Sequence, residues 1–454
     1  MIESINPTTG ETIEKYPLHT DLEVENIIDK AHKTYLSWRN TSFDDRAQLM
    51  NKAAQILKDN KQKYAETMTR EMGKTLKSAI SEVEKCALVC EYYAENAEQF
   101  LADEIIESDA QKSMAAFRPL GVILAVMPWN FPLWQVFRFA APSLMAGNVG
   151  ILKHASNVPA SALIIQQVFD QAGFPKNAFT TLLIKSDQVE KVIQNKHVRA
   201  ATLTGSEPAG SAVAATAGKL IKPTVLELGG SDPYLILEDA DLEYAAEQCS
   251  QSRLLNNGQS CIGAKRFIVM EKVYDEFMKH FVQKMKAAKM GDPMKEDTNL
   301  GPMAKPSLRD DLHQQVQDSI EQGAKCILGG QIPDRTGSFY PATILTNIKP
   351  GMPAYEEEFF GPVASVFKVK TLDEAIHIAN DTDFGLGAAV FTKNIALGED
   401  IAKNQLEAGC CFVNHFVKSD PRLPFGGIKT SGYGRELSHY GIKEFVNIKT
   451  VYIK

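Results

Sequence analysis

The sequence is poor in cysteine, in basic clusters and in long uninterrupted apolar runs. Its seven cysteines are an odd number among 454 residues, and no two of them form a CxxC pair. This pattern argues against a disulfide framework and against a zinc site, and it predicts free thiols. Lys and Arg together number 49 against 56 Asp and Glu, which gives a net charge of −7. Because no basic block could follow a phosphate backbone, we expect no nucleic-acid partner.

A targeting or membrane segment is not recognisable either. The first four residues include an acidic side chain and no apolar stretch follows them, so we expect no secretory signal. The most membrane-like run, 119–137, is uncharged but contains three prolines. We interpret it as a buried strand that leads into a helix. The prediction is a cytoplasmic protein without a membrane partner and without a metal ion.

What is present is typical of a globular enzyme. Hydrophobic residues make up 44% of the chain and charged residues 23%, and the length suggests two to four domains. The first hundred residues are predicted to be helical, with a capping box over 20–23 and one apolar stripe over about 75–100. From about residue 120 the pattern changes to short apolar runs that alternate with amphipathic segments.

These runs form two series of predicted strands. The first series is 121–127, 149–153, 179–184, 200–204 and 224–228, and the second includes 233–237, 267–270, 363–369, 387–391 and 410–414. Strands that alternate with helices predict an α/β fold with two doubly wound sheets, whose ligands bind beyond the carboxyl ends of the strands. The last segment, 445–454, alternates like a strand but has no neighbour in sequence. We expect it to pair with a distant segment or with another subunit.

Three single residues near these strand ends could carry chemistry. Cys261 lies in 257–266 (NGQSCIGAKR); a lone cysteine is more often structural, but the polar turn and the following basic pair favour a partly exposed thiolate. Glu227 ends an apolar strand before two glycines that permit a close approach, and the alternative is a solvated strand end. Asn130 follows the first strand of the first series, where its amide could reach a ligand or simply form a turn.

A fourth segment could bind phosphate. Residues 204–210 (TGSEPAG) follow a predicted strand and open a helix, so their free backbone amides could receive a pyrophosphate. The segment is not a GxGxxG fingerprint, and a strand–glycine–helix turn serves packing equally well. On its own it is weak evidence for a dinucleotide.

Together these segments resemble the aldehyde dehydrogenases of the NAD(P)-dependent superfamily. The resemblance runs from 6–10 (NPTTG), through the segments above, to 424–427 (PFGG) and 434–436 (GRE). The order and the separations of these motifs are specific to that family. Within it, 153–157 (KHASN) and 418–422 (KSDPR) are most similar to the short bacterial succinate-semialdehyde dehydrogenases.

The resemblance implies an aldehyde dehydrogenase-like fold with two doubly wound α/β domains. A Rossmann-like cofactor-binding domain would cover 1–100 and 120–228, and a catalytic domain would cover 229–430. A small β arm for oligomerisation would combine 101–119 with 440–454. Assembly as a homodimer or homotetramer is implied as well.

The resemblance also implies a reaction, the oxidation of an aldehyde to a carboxylic acid. Cys261 would attack the aldehyde carbon, and Asn130 with the backbone N–H of Cys261 would stabilise the resulting oxyanion. A hydride would then pass to NAD(P). Glu227 would activate the water that hydrolyses the thioester.

The implied substrate is succinate semialdehyde. Arg138 would bind its carboxylate and Ser419 would be a second contact; an internal ion pair is the alternative role for Arg138. Another short ω-carboxylic or aliphatic aldehyde, such as glutarate semialdehyde, is the alternative substrate.

The implied cofactor residues are Trp129, Lys153, Ser156, Gly205, Ser206, Glu358 and Phe360. Many relatives carry Glu at the position of Ser156. A carboxylate there would repel the 2′-phosphate of NADP, whereas Ser156 beside Lys153 can bind it. NADP is therefore expected to be preferred to NAD.

Other classes of protein fit the residues less well. A thiol hydrolase needs a histidine beside its cysteine, and the sequence alone cannot place any of its nine histidines; Asn130, Glu227 and a dinucleotide site distinguish the dehydrogenase from it. A CoA-acylating dehydrogenase would not need Glu227 for hydrolysis. A non-catalytic scaffold would need none of Cys261, Glu227 and Asn130.

Overall fold

The computed structural model describes all 454 residues. The strands are β1 (Ile2–Ile5), β2 (Thr12–Tyr16), β3 (Glu104–Ile105), β4 (Lys112–Pro119), β5 (Val122–Met127), β6 (Val149–His154), β7 (Phe179–Leu182), β8 (Val198–Thr204), β9 (Thr224–Glu227), β10 (Pro233–Ile236), β11 (Arg266–Met270), β12 (Lys325–Leu328), β13 (Thr343–Thr346), β14 (Val363–Val369), β15 (Phe384–Gly385), β16 (Gly387–Phe391), β17 (Cys410–Val413), β18 (Ile428–Lys429), β19 (Gly432–Tyr433) and β20 (Val446–Ile453). The α-helices are α1 (Asp21–Trp38), α2 (Phe43–Asp59), α3 (Lys61–Met72), α4 (Leu76–Phe100), α5 (Trp134–Met145), α6 (Pro159–Ala172), α7 (Val189–Gln194), α8 (Glu207–Lys219), α9 (Leu242–Leu254), α10 (Tyr274–Lys286), α11 (Pro306–Glu321), α12 (Pro353–Glu356), α13 (Leu372–Asn380), α14 (Ile395–Asp400) and α15 (Ser438–Gly441).

The first large sheet has six strands in the order β19-β9-β8-β5-β6-β7. All of them are parallel except β19, which runs antiparallel to β9. The chain order reverses between β5 and β8, and the crevice beyond the carboxyl ends of two such strands is where a doubly wound sheet binds its ligand. Asn130 follows β5 and Gly205 follows β8, so both lie at this crevice.

The second large sheet has seven strands in the order β12-β13-β14-β11-β10-β16-β17. Only β12 is antiparallel to its neighbour. The central strands β10 and β11 are buried along their whole length, as expected of parallel strands that are covered on both faces. One apolar core contains residues of both sheets. This shared core holds the two sheets against each other and therefore fixes the side chains that lie between them.

The predicted strands of both series are present, with ends shifted by at most two residues. The capping box predicted for the first helix is formed by Thr20 and Glu23, and the long helix predicted over about 75–100 is α4, capped by Thr75. The first sixteen residues differ from the helical prediction, because β1 and β2 form an antiparallel hairpin. Its turn requires Gly10 in the left-handed region, with φ of 78°. The hairpin is too short to give a periodic apolar signal.

The C-terminal strand pairs within the chain. All eight residues of β20 pair antiparallel with β4, and β3 completes a three-stranded sheet. Of the two partners expected for this strand, the distant segment of the same chain is therefore observed. No helix combines the length and the apolar character needed to cross a lipid bilayer.

Candidate active site

Cys261 ends a loop whose backbone is held in an uncommon conformation. Asn256 and Asn257 both have positive φ, 56° and 58°, a region that asparagine tolerates better than most residues. The side-chain amide of Asn257 donates to the carbonyls of Gly73 and Pro302, at 2.8 and 3.0 Å. These bonds tie the loop to two distant segments and fix the position of the cysteine.

The Cys261 thiol is partly exposed and lines a cavity. The Lys265 ammonium donates to the carbonyl oxygens of Ser260 and Cys261, at 2.8 and 2.5 Å. Desolvation raises the pKa of Cys261 to about 12, and the positive charges of Lys265 and Arg138 oppose that rise. These cations stabilise the thiolate, which is the nucleophilic form of cysteine, but desolvation outweighs them and the thiol form is favoured.

The Asn130 amide lies against the loop that carries Cys261. Its Nδ2 donates to the carbonyl of Gln259 at 3.2 Å, and its own backbone carbonyl accepts from Asn256 Nδ2 at 2.7 Å. The side chain is buried, and its Oδ1 has no hydrogen-bond partner. The structure thus brings together two residues that are 131 positions apart in the sequence, Asn130 and Cys261.

Glu227 ends β9 in a buried position, and neither carboxylate oxygen has a hydrogen-bond partner. Desolvation raises the pKa of Glu227 well above its usual range; Glu436 adds to the rise and Arg138 opposes it. The glycines that follow permit a close approach, as their sequence suggested. A Cβ on Gly230 would lie 2.8 Å from the carbonyl oxygen of Cys261.

Arg138 is buried on α5 and has several partners. It forms an ion pair with the Glu436 carboxylate, donates to Thr204 Oγ1 at 3.4 Å and lies 4.6 Å from the centre of the Phe425 ring. The internal ion pair considered for Arg138 is thus present, with an acid that follows β19 instead of one on a neighbouring helix. Arg138 also lines the cavity that contains Cys261.

This cavity has a volume of about 230 Å³. Its walls carry four aromatic side chains, those of Phe131, Trp134, Phe416 and Phe425. The charged side chains that line it are Lys85, Arg138, Lys418 and Glu82. Ser419 lies in the same cavity, where its Oγ accepts a hydrogen bond from Lys85 Nζ at 2.7 Å. Apolar walls with an excess of cations suit a short aldehyde that carries a carboxylate.

A buried ion pair supports the turn that carries Asn130. Glu82 Oε1 accepts from the backbone N–H groups of Leu133 and Trp134, at 2.8 and 2.9 Å, where α5 begins. The other oxygen pairs with Lys74, which is fully buried. The carboxylate therefore binds the free N–H groups at the start of the helix and the ammonium together.

Lys74→Met is expected to destabilise the protein by roughly 3–5 kcal/mol, because it leaves the buried Glu82 carboxylate without its cation. Lys58→Met is the matched control, since it breaks a half-exposed pair with Glu91 that contributes about 0–1 kcal/mol. Thermal unfolding followed by circular dichroism measures both changes. Equal shifts in melting temperature for the two variants would contradict this role of Lys74.

The predicted cofactor residues form two groups, of which the first is close to Lys265. The rings of Trp129 and Phe360 meet edge to face, with centroids 5.7 Å apart. The Glu358 carboxylate accepts from Gly230 N at 3.1 Å and pairs with Lys265 at 3.0 Å. Glu358 is thereby linked through Lys265 to the carbonyl of the cysteine.

The other group lies at the carboxyl ends of β6 and β8. Ser206 precedes α8 but makes no side-chain cap, so the first N–H groups of this helix are free to bind an anion. Desolvation lowers the pKa of Lys153, and the charge of Lys305 lowers it further. Ser156, close by on the chain, is exposed. Free amides and two neighbouring cations fit a dinucleotide with several phosphates.

Three residues of the site were not predicted as such: Lys85, Lys265 and Glu436. Lys265 belongs to the basic pair noted after Cys261, and Glu436 belongs to the 434–436 motif. Lys85 shares one face of α4 with Ser78 and Ser81, a polar row between the buried face of the helix and its exposed residues Lys77 and Glu84. That row was the available signal. No group of three or more His, Cys, Asp or Glu side chains is arranged to hold a metal ion.

Comparisons with known proteins agree with this geometry. The model of the aldehyde dehydrogenase family matches residues 1–451. A Synechocystis sp. protein named probable succinate-semialdehyde dehydrogenase [NADP(+)] is 52% identical over 452 residues, which cover 100% of this chain and 99% of that protein. The Mycobacterium leprae succinate-semialdehyde dehydrogenase [NADP(+)] is 52% identical over 455 residues, with 100% and 99% coverage.

A solved structure of a related enzyme has nearly the same fold as this chain. The crystal structure of succinic semialdehyde dehydrogenase from Streptococcus pyogenes, in complex with NADP+ as the cofactor, has a TM-score of 0.98 and 40% identity, with 100% of each chain covered. The match extends over both large sheets and the three-stranded sheet, because no part of either chain is left out. This chain belongs to the aldehyde dehydrogenase family.

Proposed function

We propose that this chain oxidises succinate semialdehyde to succinate with NADP as the hydride acceptor. The observation that carries the proposal is one cavity that joins Cys261 to Arg138 and Ser419. A thiol at one part of this space and cationic and hydroxyl groups at another suit an aldehyde with a distal carboxylate. The names of the Synechocystis and Mycobacterium leprae relatives support the same substrate and cofactor.

In the first half of the reaction, the Cys261 thiolate adds to the aldehyde carbon and forms a thiohemiacetal. Asn130 Nδ2 and the backbone N–H of Cys261 stabilise the oxyanion, and each donor contributes roughly 3–4 kcal/mol to the transition state. Bound NADP supplies the hydride acceptor. The hydrogen bonds that hold the Cys261 loop, and the one that joins this loop to the backbone of Asn130, support this arrangement. A donor that is already in place needs no rearrangement when the charge on the oxygen develops.

In the second half, Glu227 takes a proton from a water molecule that attacks the thioester. The carboxylate is buried and has no hydrogen-bond partner, so its basicity is not reduced by hydrogen-bond donors. Hydrolysis releases succinate and restores the Cys261 thiol. Arg138 and Ser419 hold the distal carboxylate of the substrate throughout.

An aldehyde panel assayed with NADP and NAD separately tests the proposal. Succinate semialdehyde with NADP is expected to give the highest kcat/KM, ahead of glutarate semialdehyde, which is one methylene longer, and ahead of butanal, which lacks the carboxylate. If butanal is oxidised as efficiently as succinate semialdehyde, the proposed substrate is wrong. A higher kcat/KM for glutarate semialdehyde would identify the alternative substrate.

The proposed NADP site consists of Trp129, Lys153, Ser156, Gly205, Ser206, Glu358 and Phe360. Lys153 and Ser156 bind the 2′-phosphate, the free amides at the start of α8 receive the pyrophosphate, and Glu358 holds the nicotinamide ribose. The exposed hydroxyl of Ser156 and the unpaired ammonium of Lys153 support this assignment. A neutral donor beside a cation suits a phosphate better than a carboxylate would.

Ser156→Glu is expected to lower the ratio of kcat/KM with NADP to that with NAD by at least about tenfold, because a carboxylate would repel the 2′-phosphate at short range. Ser37→Glu, at another exposed serine far along the chain, is the control for the added charge. Initial rates and the Kd of NADP from fluorescence quenching measure the effect. A ratio that stays constant in Ser156→Glu would contradict the proposed 2′-phosphate site.

The remaining assignments follow the family. We propose a cofactor-binding domain over 1–100 and 120–228, a catalytic domain over 229–430, and an arm of 101–119 with 440–454. The arm corresponds to the sheet β20-β4-β3, which exposes Ile448 and Tyr452. The exposure of these apolar side chains supports a homodimer or homotetramer, in which a second copy would cover them. A cytoplasmic location is part of the proposal.

A further inference from the structure

One half-buried cation in the cavity has no negative partner. Lys85 Nζ lies 4.2 Å from the centre of the Trp134 ring and donates to Ser419 Oγ at 2.7 Å, but it forms no ion pair. The acids nearest to it are already engaged, since Glu82 pairs with Lys74 and Asp420 pairs with Arg422. The ammonium is therefore a half-buried charge without compensation.

The other buried cation of the cavity differs in this respect. Arg138 is paired with Glu436, so its charge is compensated within the protein before any substrate binds. An anionic substrate gains hydrogen bonds from Arg138 but meets little net charge there. Lys418 also lines the cavity but is exposed to solvent, so the desolvated charge that would attract the carboxylate comes from Lys85.

The contact with Ser419 places a second donor beside the ammonium. Because Ser419 Oγ accepts from Lys85, its own hydroxyl proton is free to point to another acceptor. Desolvation, together with the nearby charge of Arg138, lowers the pKa of Lys85 to about 8. A bound carboxylate would relieve this cost by restoring a partner to the ammonium.

We propose that Lys85 is a third carboxylate-binding residue and that its uncompensated charge selects aldehydes with a distal carboxylate. The inference rests on the proposed function, because it assigns a further residue to the same substrate site. One carboxylate oxygen accepts from Lys85 Nζ, and the hydroxyl of Ser419 donates to the same group. Trp134, which the ammonium covers, fixes the direction of the lysine side chain.

Lys85→Met tests the proposal, since methionine keeps the length of the side chain and removes its charge. The kcat/KM for succinate semialdehyde is expected to fall by about 10–150-fold, the effect of one hydrogen bond to a charged group. The loss for butanal should be much smaller, and this rate also reports whether the variant is folded. Lys85→Arg, which keeps the charge, should recover most of the loss.

Succinate provides a second measurement that does not depend on oxidation of the charged aldehyde. As a competitive inhibitor of butanal oxidation, succinate should bind more weakly to Lys85→Met by a similar factor. Lys77→Met is the matched control, because Lys77 is an exposed lysine on the same helix, α4. Its kcat/KM for succinate semialdehyde should stay close to that of the unchanged protein.

The outcomes separate this inference from the proposed function. If the unchanged protein prefers succinate semialdehyde to butanal and Lys85→Met keeps that preference, Lys85 is not a carboxylate-binding residue while the function stands. Equal losses for both aldehydes would also overturn the inference, since they would indicate a structural role. If the unchanged protein shows no preference for the charged aldehyde, the proposed function itself fails.

Discussion

Cys261→Ala is expected to abolish NADPH formation from every aldehyde, with a loss in kcat on the order of 10⁶-fold, as for removal of a nucleophile in other enzymes. An aldehyde does not release hydride readily, so the carbon must first be made tetrahedral by addition of the thiolate. Alanine cannot add. NADPH absorbance under steady-state conditions and in the first turnover measures the loss.

Two other partly exposed cysteines serve as controls. Cys326 lies on the edge strand β12 and Cys411 on β17, and neither lines the cavity with Cys261. Cys326→Ala and Cys411→Ala should keep nearly all activity. The Kd of NADP should be little changed in Cys261→Ala, which would show that the cofactor site is intact. Residual turnover in Cys261→Ala, or a comparable loss in either control, would contradict the assignment of the nucleophile.

The central parts of the fold were predictable because their physical cause is local. A strand buried on both faces is expected to be apolar, and β5, β16 and the part of β11 after Arg266 have that pattern in the sequence. The edge strand β12 alternates between exposed and half-buried residues, and β19 has only two residues. The sequence of neither strand can be distinguished from that of a loop. Their places depend on partners that lie far away along the chain.

The same distinction applies to the site. Cys261, Glu227 and Asn130 follow or precede predicted strands and belong to recognisable motifs, so a single sequence was enough to select them. The pair of Lys85 and Ser419 joins positions 334 residues apart, and Arg138 meets Glu436 across nearly 300 residues. No local sequence pattern predicts a contact between residues so far apart. Whether a buried cation is compensated can be decided only once its neighbours are known.

Compensation of charge also decides the state of Glu227. Two buried carboxylates, Glu227 and Glu436, lie near one guanidinium, and Arg138 pairs with the second of them. Glu227 is left without a hydrogen bond or an ion pair, and its pKa is raised well above its usual range by desolvation. Because a raised pKa means that the acid holds its proton to higher pH, the fraction of Glu227 able to act as a base increases as the pH rises.

Glu227→Gln is therefore expected to separate the two halves of the reaction. The first turnover should still give a burst of NADPH close to one per active site, because in the proposed mechanism this carboxylate acts only on the water that hydrolyses the thioester. Steady-state turnover should then fall by about 10²–10⁴-fold, the usual contribution of a general base. The increase of the steady-state rate with pH, which reflects ionisation of Glu227, should be lost as well.

Stopped-flow absorbance measures the burst, and mass spectrometry of the quenched protein should detect a succinyl thioester on Cys261. Cys261→Ala is the control, since it should give neither burst nor thioester. A Glu227→Gln variant without a burst and without a trapped thioester would mean that Glu227 acts before hydride transfer, as the base that takes the proton from Cys261. Desolvation raises the pKa of the Cys261 thiol to about 12, so a neighbouring base would help to deprotonate it, and the burst distinguishes that role of Glu227 from hydrolysis of the thioester.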